Sequence, residues 1–167
     1  HKCHVYKLLK DKFKLLNNTK NYHFIENFML KFGEDKVTSI NNLLLTEEQL
    51  KSLSSESLIT IGSHSSNHYV MTDLNDVQMQ EELINSKLYL ENLCQKEIKH
   101  FCFPYGACGK REFDAIEATG YTSSVTTEGR NFYKKIPEAN YSLPRHVVRF
   151  DNSLKTFKYY TNGFSGF

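Results

Sequence analysis

Apolar residues recur with different spacings along this chain, and the change of spacing divides it. Val5, Leu8, Leu9, Phe13 and Leu16 fall near the helical repeat with lysines between them. Phe24, Ile25, Phe28, Met29 and Phe32 make a second stripe, closed by Gly33. Residues 1–42 therefore read as a helical segment packed on the rest, its aromatic stripe a core face. From residue 43 short apolar runs alternate with amphipathic stretches. Thr46 and Gln49 have capping-box spacing for a short helix ending near Ser54-Ser55. Leu58–Ile61 reads as a strand broken by Gly62 and Ser63. Asn75 with Gln78 caps a long amphipathic helix over residues 76–95, with Val77, Leu83, Ile84, Leu88 and Leu90 as its apolar positions. Ile98–Phe103 is a second strand, ended by Pro104-Tyr105-Gly106. A helix over 110–119, with Phe113, Ala115 and Ile116 inward, is closed by Gly120. Tyr121–Thr127 and Leu143–Phe150 read as further strands, and Asn152–Tyr160 as a last helix.

Strands separated by helices imply an α/β fold with a parallel sheet or barrel and right-handed crossovers. No repeat or linker marks a further domain, so residues 43–167 form one domain. The polar punctuation at Ser63–His68, Pro104–Gly106 and Thr126–Gly129 falls at the C-terminal ends of strands, where such folds build their sites.

Charge excludes more than it suggests. The formal net charge is +2, and no basic stripe is interleaved with aromatics, so nothing points to nucleic acid. No apolar run is long enough to span a membrane, and no signal peptide is visible. The chain opens at His1 and not at methionine, which reads as a processed or excised piece. The missing leader is then silent on compartment. The four cysteines, Cys3, Cys94, Cys102 and Cys108, contain no C-x-x-C pair and read as free thiols. Asn17-Asn18-Thr19 and Asn140-Tyr141-Ser142 match a glycosylation sequon, which matters only in a secreted eukaryotic protein.

Candidate chemistry gathers at His64 and His68. They lie in a small-residue polar loop directly after an apolar run, and imidazole is the commonest protein ligand for zinc and similar metals. The pair alone is weak evidence, because histidines are more often hydrogen-bonded or surface residues.

Four stretches together resemble the polysaccharide deacetylase family, the carbohydrate esterase family 4 enzymes with a NodB homology domain. They are Ile59-Thr-Ile-Gly-Ser-His-Ser-Ser-Asn-His68, Phe101-Cys-Phe-Pro-Tyr-Gly106, Gly120-Tyr-Thr-Ser-Ser-Val-Thr-Thr127 and Leu143-Pro-Arg145. Their order and spacing match over residues 43–151, and the set is specific where no single stretch is. The resemblance implies a distorted (β/α) barrel and removal of N- or O-acetyl groups from sugars of a polysaccharide with N-acetylglucosamine-like units. It implies a divalent metal, most often zinc, held by His64, His68 and an aspartate. The backbone N–H at Tyr105 would stabilise the oxyanion, Pro104 would fix the turn, and Gly106 would permit close approach.

Three departures qualify it. The family's first motif supplies an Asp-Asp pair as metal ligand and general base, and this sequence contains no such pair. Asp11 and Asp35 alone precede His64, both in lysine-rich surroundings. Truncation upstream of His1, leaving the barrel incomplete because N-terminal strands are missing, is the simplest expectation; a degenerate homologue is the rival. Cys102 stands where many members carry arginine, and reads better as a buried core-strand cysteine. Of Arg145 and His146, which point to opposite faces of a strand, one reaches the cleft. His146 is either the general acid or a structural or surface residue, and Arg145 serves substrate or structure.

The sequence thus supports a metal-dependent polysaccharide deacetylase, this chain weakly active or inactive alone. A non-catalytic glycan-binding or structural homologue is the alternative, and an interaction module with unliganded histidines a distant third. Glycan, linkage, metal and oligomeric state stay open.

Overall fold

The computed structural model describes residues 44–129 and 139–162, with Lys7, Leu8, Asn27, Leu30 and Lys31 as isolated helical positions. The chain divides into two compact units, His1–Leu50 and Lys51–Phe167. Apart from those five positions, the helices expected in residues 1–42 lie outside the described residues, as do Cys3, Asp11 and Asp35.

Helix α1 spans Glu47–Ser55. Its start is the expected reciprocal cap: the Gln49 backbone N–H donates to Thr46 Oγ1 at 3.2 Å, and the Thr46 N–H to Gln49 Oε1 at 2.9 Å. Helix α2 spans Asp76–Cys94 behind the Asn75–Gln78 capping box. It ends on Gln95 in the left-handed region at φ 52°, whose N–H bonds the Glu91 carbonyl. Strand β1 (His100–Cys102), helix α3 (Lys110–Ala118), strand β2 (Ser123–Val125) and helix α4 (Leu154–Thr161) follow. The residue after the α3 cap is Gly120 at φ +80°, a conformation open to glycine because it lacks a Cβ.

Strands β1 and β2 pair in parallel, with Phe101 opposite Ser124. Single parallel bridges extend the order at both sides, Ser63 to Phe101 and Leu143 to Val125. The strand segments thus lie side by side in chain order, with α2 and α3 as the connections between them, the arrangement parallel pairing requires. The core lies between this sheet and the two helices. Met79 and Leu83 of α2, Phe101 of β1, Ala115 and Ile116 of α3, and Phe103, Ile98 and Tyr121 share one buried cluster. Phe101 meets Phe103 edge-on at 5.2 Å and Tyr121 at 5.4 Å. Such pairs add to the area term, which is about 1.5–3 kcal/mol per fully buried large apolar side chain. The end of α2 is tied to the start of β1 by polar contacts: Glu91 Oε1 accepts from the Ile98 N–H at 3.0 Å, and Lys87 Nζ donates to the Ile98 carbonyl.

All four expected strands are shorter than the apolar pattern predicts, and the two outer ones fall furthest short. Leu58–Ile61 forms no strand, and Leu58 is 98% exposed. Of the run beyond Leu143, Val147, Val148 and Phe150 are all exposed. The reason is the same in both. A strand persists only where its backbone N–H and C=O groups meet a partner. β1 reaches this side only at Ser63, whose N–H bonds the His100 carbonyl and whose carbonyl takes the Cys102 N–H. Beyond Leu143, the Arg145 N–H bonds the Glu128 carbonyl and the ladder stops.

Candidate functional site

The four parallel segments end on the same side, and the candidate residues gather there. His64 follows the Ser63 bridge. Its ring Nδ1 lies 2.6 Å from the Cys102 carbonyl oxygen. A carbonyl only accepts, so Nδ1 carries the proton and the Nε2 lone pair is left for another partner. A bond of this kind fixes the orientation of the ring. The His68 ring stands edge-on to His64 at 4.7 Å between centroids, and the Tyr105 ring edge-on to His68 at 4.9 Å.

The loop that carries both histidines is held by α2. Glu82 is buried and accepts from the Ser66 N–H at 3.0 Å, the Asn67 N–H at 2.9 Å and Asn67 Nδ2 at 2.5 Å. One turn further on, Ser63 Oγ bonds Ser86 Oγ at 2.8 Å. Ser65 and His68 both sit at positive φ, 65° and 56°, and Ser65 Oγ accepts the His68 N–H at 2.9 Å. Non-glycine residues in that region are strained and persist where their surroundings over-determine them. Glu82 and Ser86 carry no role in the sequence reading. The signal available for them was a carboxylate and a hydroxyl on the same face of α2 as Met79 and Leu83.

Electrostatics separate the two imidazoles. The Cys102 side chain is the largest influence on His64 and raises its pKa; burial opposes this and the Cys102 carbonyl adds to it. His68 is lowered, first by burial and then by the charge of His64. Burial raises the Cys102 thiol, but His64 and Arg145 outweigh it and bring the thiol below its ordinary range.

Pro104–Gly106 forms a single 3₁₀ turn at the end of β1. Tyr105 has φ 60° and ψ −1°, and Gly106 has φ 71°. A Cβ built on Gly106 would lie 2.1 Å from Thr127 Oγ1. Only glycine lets this turn approach Thr127, just beyond β2, so closely. Thr127 Oγ1 itself donates to the Tyr105 carbonyl at 3.4 Å.

Arg145 is joined to the same rim, its Nε donating to the Thr126 carbonyl at 2.6 Å. His146 points toward α4. Its ring stacks on Tyr160 at 4.9 Å with 13° between planes. The structure therefore brings His64, His68, Tyr105, Pro104, Gly106 and Arg145 to one rim and places His146 against α4. Two histidines with an oriented lone pair suit a metal such as zinc. A third ligand is not supplied: among the described residues no group of three His, Cys, Asp or Glu side chains is arranged to hold an ion. Among those residues no helix is long and apolar enough to cross a membrane.

A family model described as polysaccharide deacetylase matches residues 15–124, which include both histidines and the Pro-Tyr-Gly turn. YxkH of Bacillus subtilis (strain 168) is 34% identical over 84 residues, covering 50% of this chain and 30% of YxkH. BC0361, a polysaccharide deacetylase from Bacillus cereus, superposes with a TM-score of 0.64 at 19% identity, over 70% of this chain and 36% of its own. The Streptococcus pyogenes deacetylase PplD, solved in complex with acetate, gives 0.61 at 19% identity, over 68% of this chain and 49% of PplD. The chain therefore spans less than half the length of each of these relatives, and at this identity the solved structures speak to the fold, a NodB-type barrel represented here by an incomplete sheet. With a family match over most of its length and that fold beneath it, this chain belongs to the polysaccharide deacetylase family.

Proposed function

We propose that the rim described above is the metal-dependent deacetylase site of a hydrolase that removes acetyl groups from N-acetylglucosamine-like sugars of a polysaccharide. The observation that carries this reading is the His64 Nδ1 bond to the Cys102 carbonyl at 2.6 Å, with His68 beside it. It presents one fixed imidazole lone pair next to a second imidazole. A divalent ion held by His64 and His68, zinc by choice of ligands, would supply polarisation of an acetyl carbonyl and acidification of a water. The chain's own residues do the rest. The Tyr105 backbone N–H, in a turn shaped by Pro104 and Gly106, donates to the developing oxyanion. The Tyr105 ring packs on His68 and limits its rotation. Arg145, fixed through Nε, places positive charge at the rim for the substrate. His146 is better explained as a wall residue stacked on Tyr160 than as the general acid.

The aspartate that would complete the ligand set and act as base has no counterpart among the described residues. The 167-residue chain alone is accordingly expected to turn over little or no substrate. The same gap favours a second reading, a glycan-binding homologue without turnover. Zinc titrated into wild type and into a His64→Ala/His68→Ala variant tests the site. Stoichiometric binding lost in the variant supports the deacetylase reading. Equal behaviour of the two proteins moves the non-catalytic reading ahead.

A further inference from the structure

A second pocket, of about 430 Å³, lies between the loop after β2 and the segment running from Arg145 into α4. Thr127, Arg145, His146, Arg149, Asn152 and Tyr160 contribute to its wall; His64, His68 and Tyr105 do not. Its volume is in the range of small-molecule sites, about 300–1,000 Å³.

The charge of this wall is one-sided. Among the described residues no Asp or Glu lines it, although Arg145 and Arg149 do. Arg145 is anchored through Nε on the Thr126 carbonyl, which fixes the direction of its fork. The Arg149 side chain has no hydrogen bond or ion pair among the described residues, while its backbone N–H is held by Asn152 Oδ1 at 2.8 Å. Two like charges facing one concavity are unfavourable until an anion joins them, and a guanidinium matches a carboxylate or phosphate through paired N–H donors. Around the arginines stand an amide, a hydroxyl, a phenol and an imidazole. These are the neutral donors and acceptors that sugar hydroxyls use. The imidazole is braced flat against the phenol ring, so that wall is preformed.

We propose that this pocket binds the acidic group of an anionic sugar, a carboxylate or a phosphate carried on the glycan, through Arg145 and Arg149. As a statement about the deacetylase substrate it rests on the reading above. As a binding site it is independent of whether His64 and His68 hold a metal.

The test is calorimetric titration of the full 167-residue chain with trigalacturonate, glucose 6-phosphate and neutral maltotriose. Wild type, Arg149→Gln, Arg149→Lys and His64→Ala/His68→Ala are compared. Arg149 is exposed, so its variants should fold, which circular dichroism verifies. An acidic sugar should bind at least tenfold more tightly than maltotriose. Arg149→Gln should weaken it by about tenfold or more, the loss of a charge-assisted bond, with Arg149→Lys between. The histidine variant should bind it as wild type does. The tighter of the carboxylate and phosphate ligands identifies the acidic group. Equal affinity for maltotriose, indifference to Arg149→Gln, or no binding of either acidic sugar overturns the proposal. Loss of acidic-sugar binding in the histidine variant also overturns it, by moving the ligand to the rim. A failure of zinc binding leaves it standing.

Discussion

One methyl group added at Gly106 tests how the turn that carries Tyr105 is held. Gly106 sits at φ +71°, and a Cβ there would lie 2.1 Å from Thr127 Oγ1 and 2.8 Å from Thr127 Cβ and Cγ2. The conformation alone costs an L-residue about 1–2 kcal/mol. Forcing a methyl into occupied space adds about 1–3 kcal/mol, since the neighbour is a β-branched side chain rather than the end of a flexible one. Reduced freedom of the unfolded chain gives back about 0.4–1 kcal/mol. Gly106→Ala should therefore lose about 3 kcal/mol, a fall in Tm of about 6–12 °C for a chain of this size. Urea unfolding followed by circular dichroism measures it, with the m-value unchanged. Thr127→Ala removes the closest atom and Cγ2 but not the backbone conformation. In that background the penalty should shrink by about 1 kcal/mol or more, the signature of a pair in contact. A Gly106→Ala protein within ~0.5 kcal/mol of wild type, the margin of an ordinary surface change, would refute the clash. An undiminished penalty beside Thr127→Ala would assign it to φ and to the Cβ that this substitution retains.

Two further outcomes follow from the same geometry. Glu82→Ala removes the acceptor of three donors from Ser66 and Asn67. It should cost about 2–4 kcal/mol in urea unfolding and move the His68 ring resonances in NMR spectra. A variant with wild-type stability and shifts would show that the loop is held otherwise. The Cys108 thiol is pushed up to about 11 by burial, with the charges of Glu128 and Glu112 adding to it. A raised thiol pKa keeps the sulfur protonated, so at pH 8 its alkylation should run roughly 100-fold slower than in the urea-unfolded chain, in proportion to thiolate. The difference should narrow as the pH approaches 11. Peptide mapping reads the rate, and equal rates in both states would contradict the burial.

Much of this was legible in the sequence because it is local. Thr46 with Gln49, and Asn75 with Gln78, are caps whose partners lie three residues away, and both form. Gly120 ends α3 at positive φ because no distant partner is needed for that. The adjacency of His64 and His68 was equally legible, since one short loop carries both. What sequence did not show depends on who stands opposite. Leu58–Ile61 is apolar enough for a strand, but β1 meets this side of the sheet only at Ser63. Glu82 looks like any helix carboxylate until the loop from Ser66 to Asn67 is laid against it. His146 and Arg145 are adjacent in the chain and both line the pocket beside α4, and only the bond of Arg145 to Thr126 and the stacking of His146 on Tyr160 show which of them also reaches the rim.

The suspension of the histidine loop from α2 sets unequal tolerances to insertion and deletion. Glu82 and Ser86 grip the loop from successive turns of one helix face. One residue gained or lost between them would swing one grip around the helix by about 100° relative to the other. The spacing of these two side chains is therefore as much part of the site as the spacing of the histidines. The exposed run before Gly62 bears no such constraint. Length variation should collect there, upstream of Ser63, while the middle of α2 keeps its count.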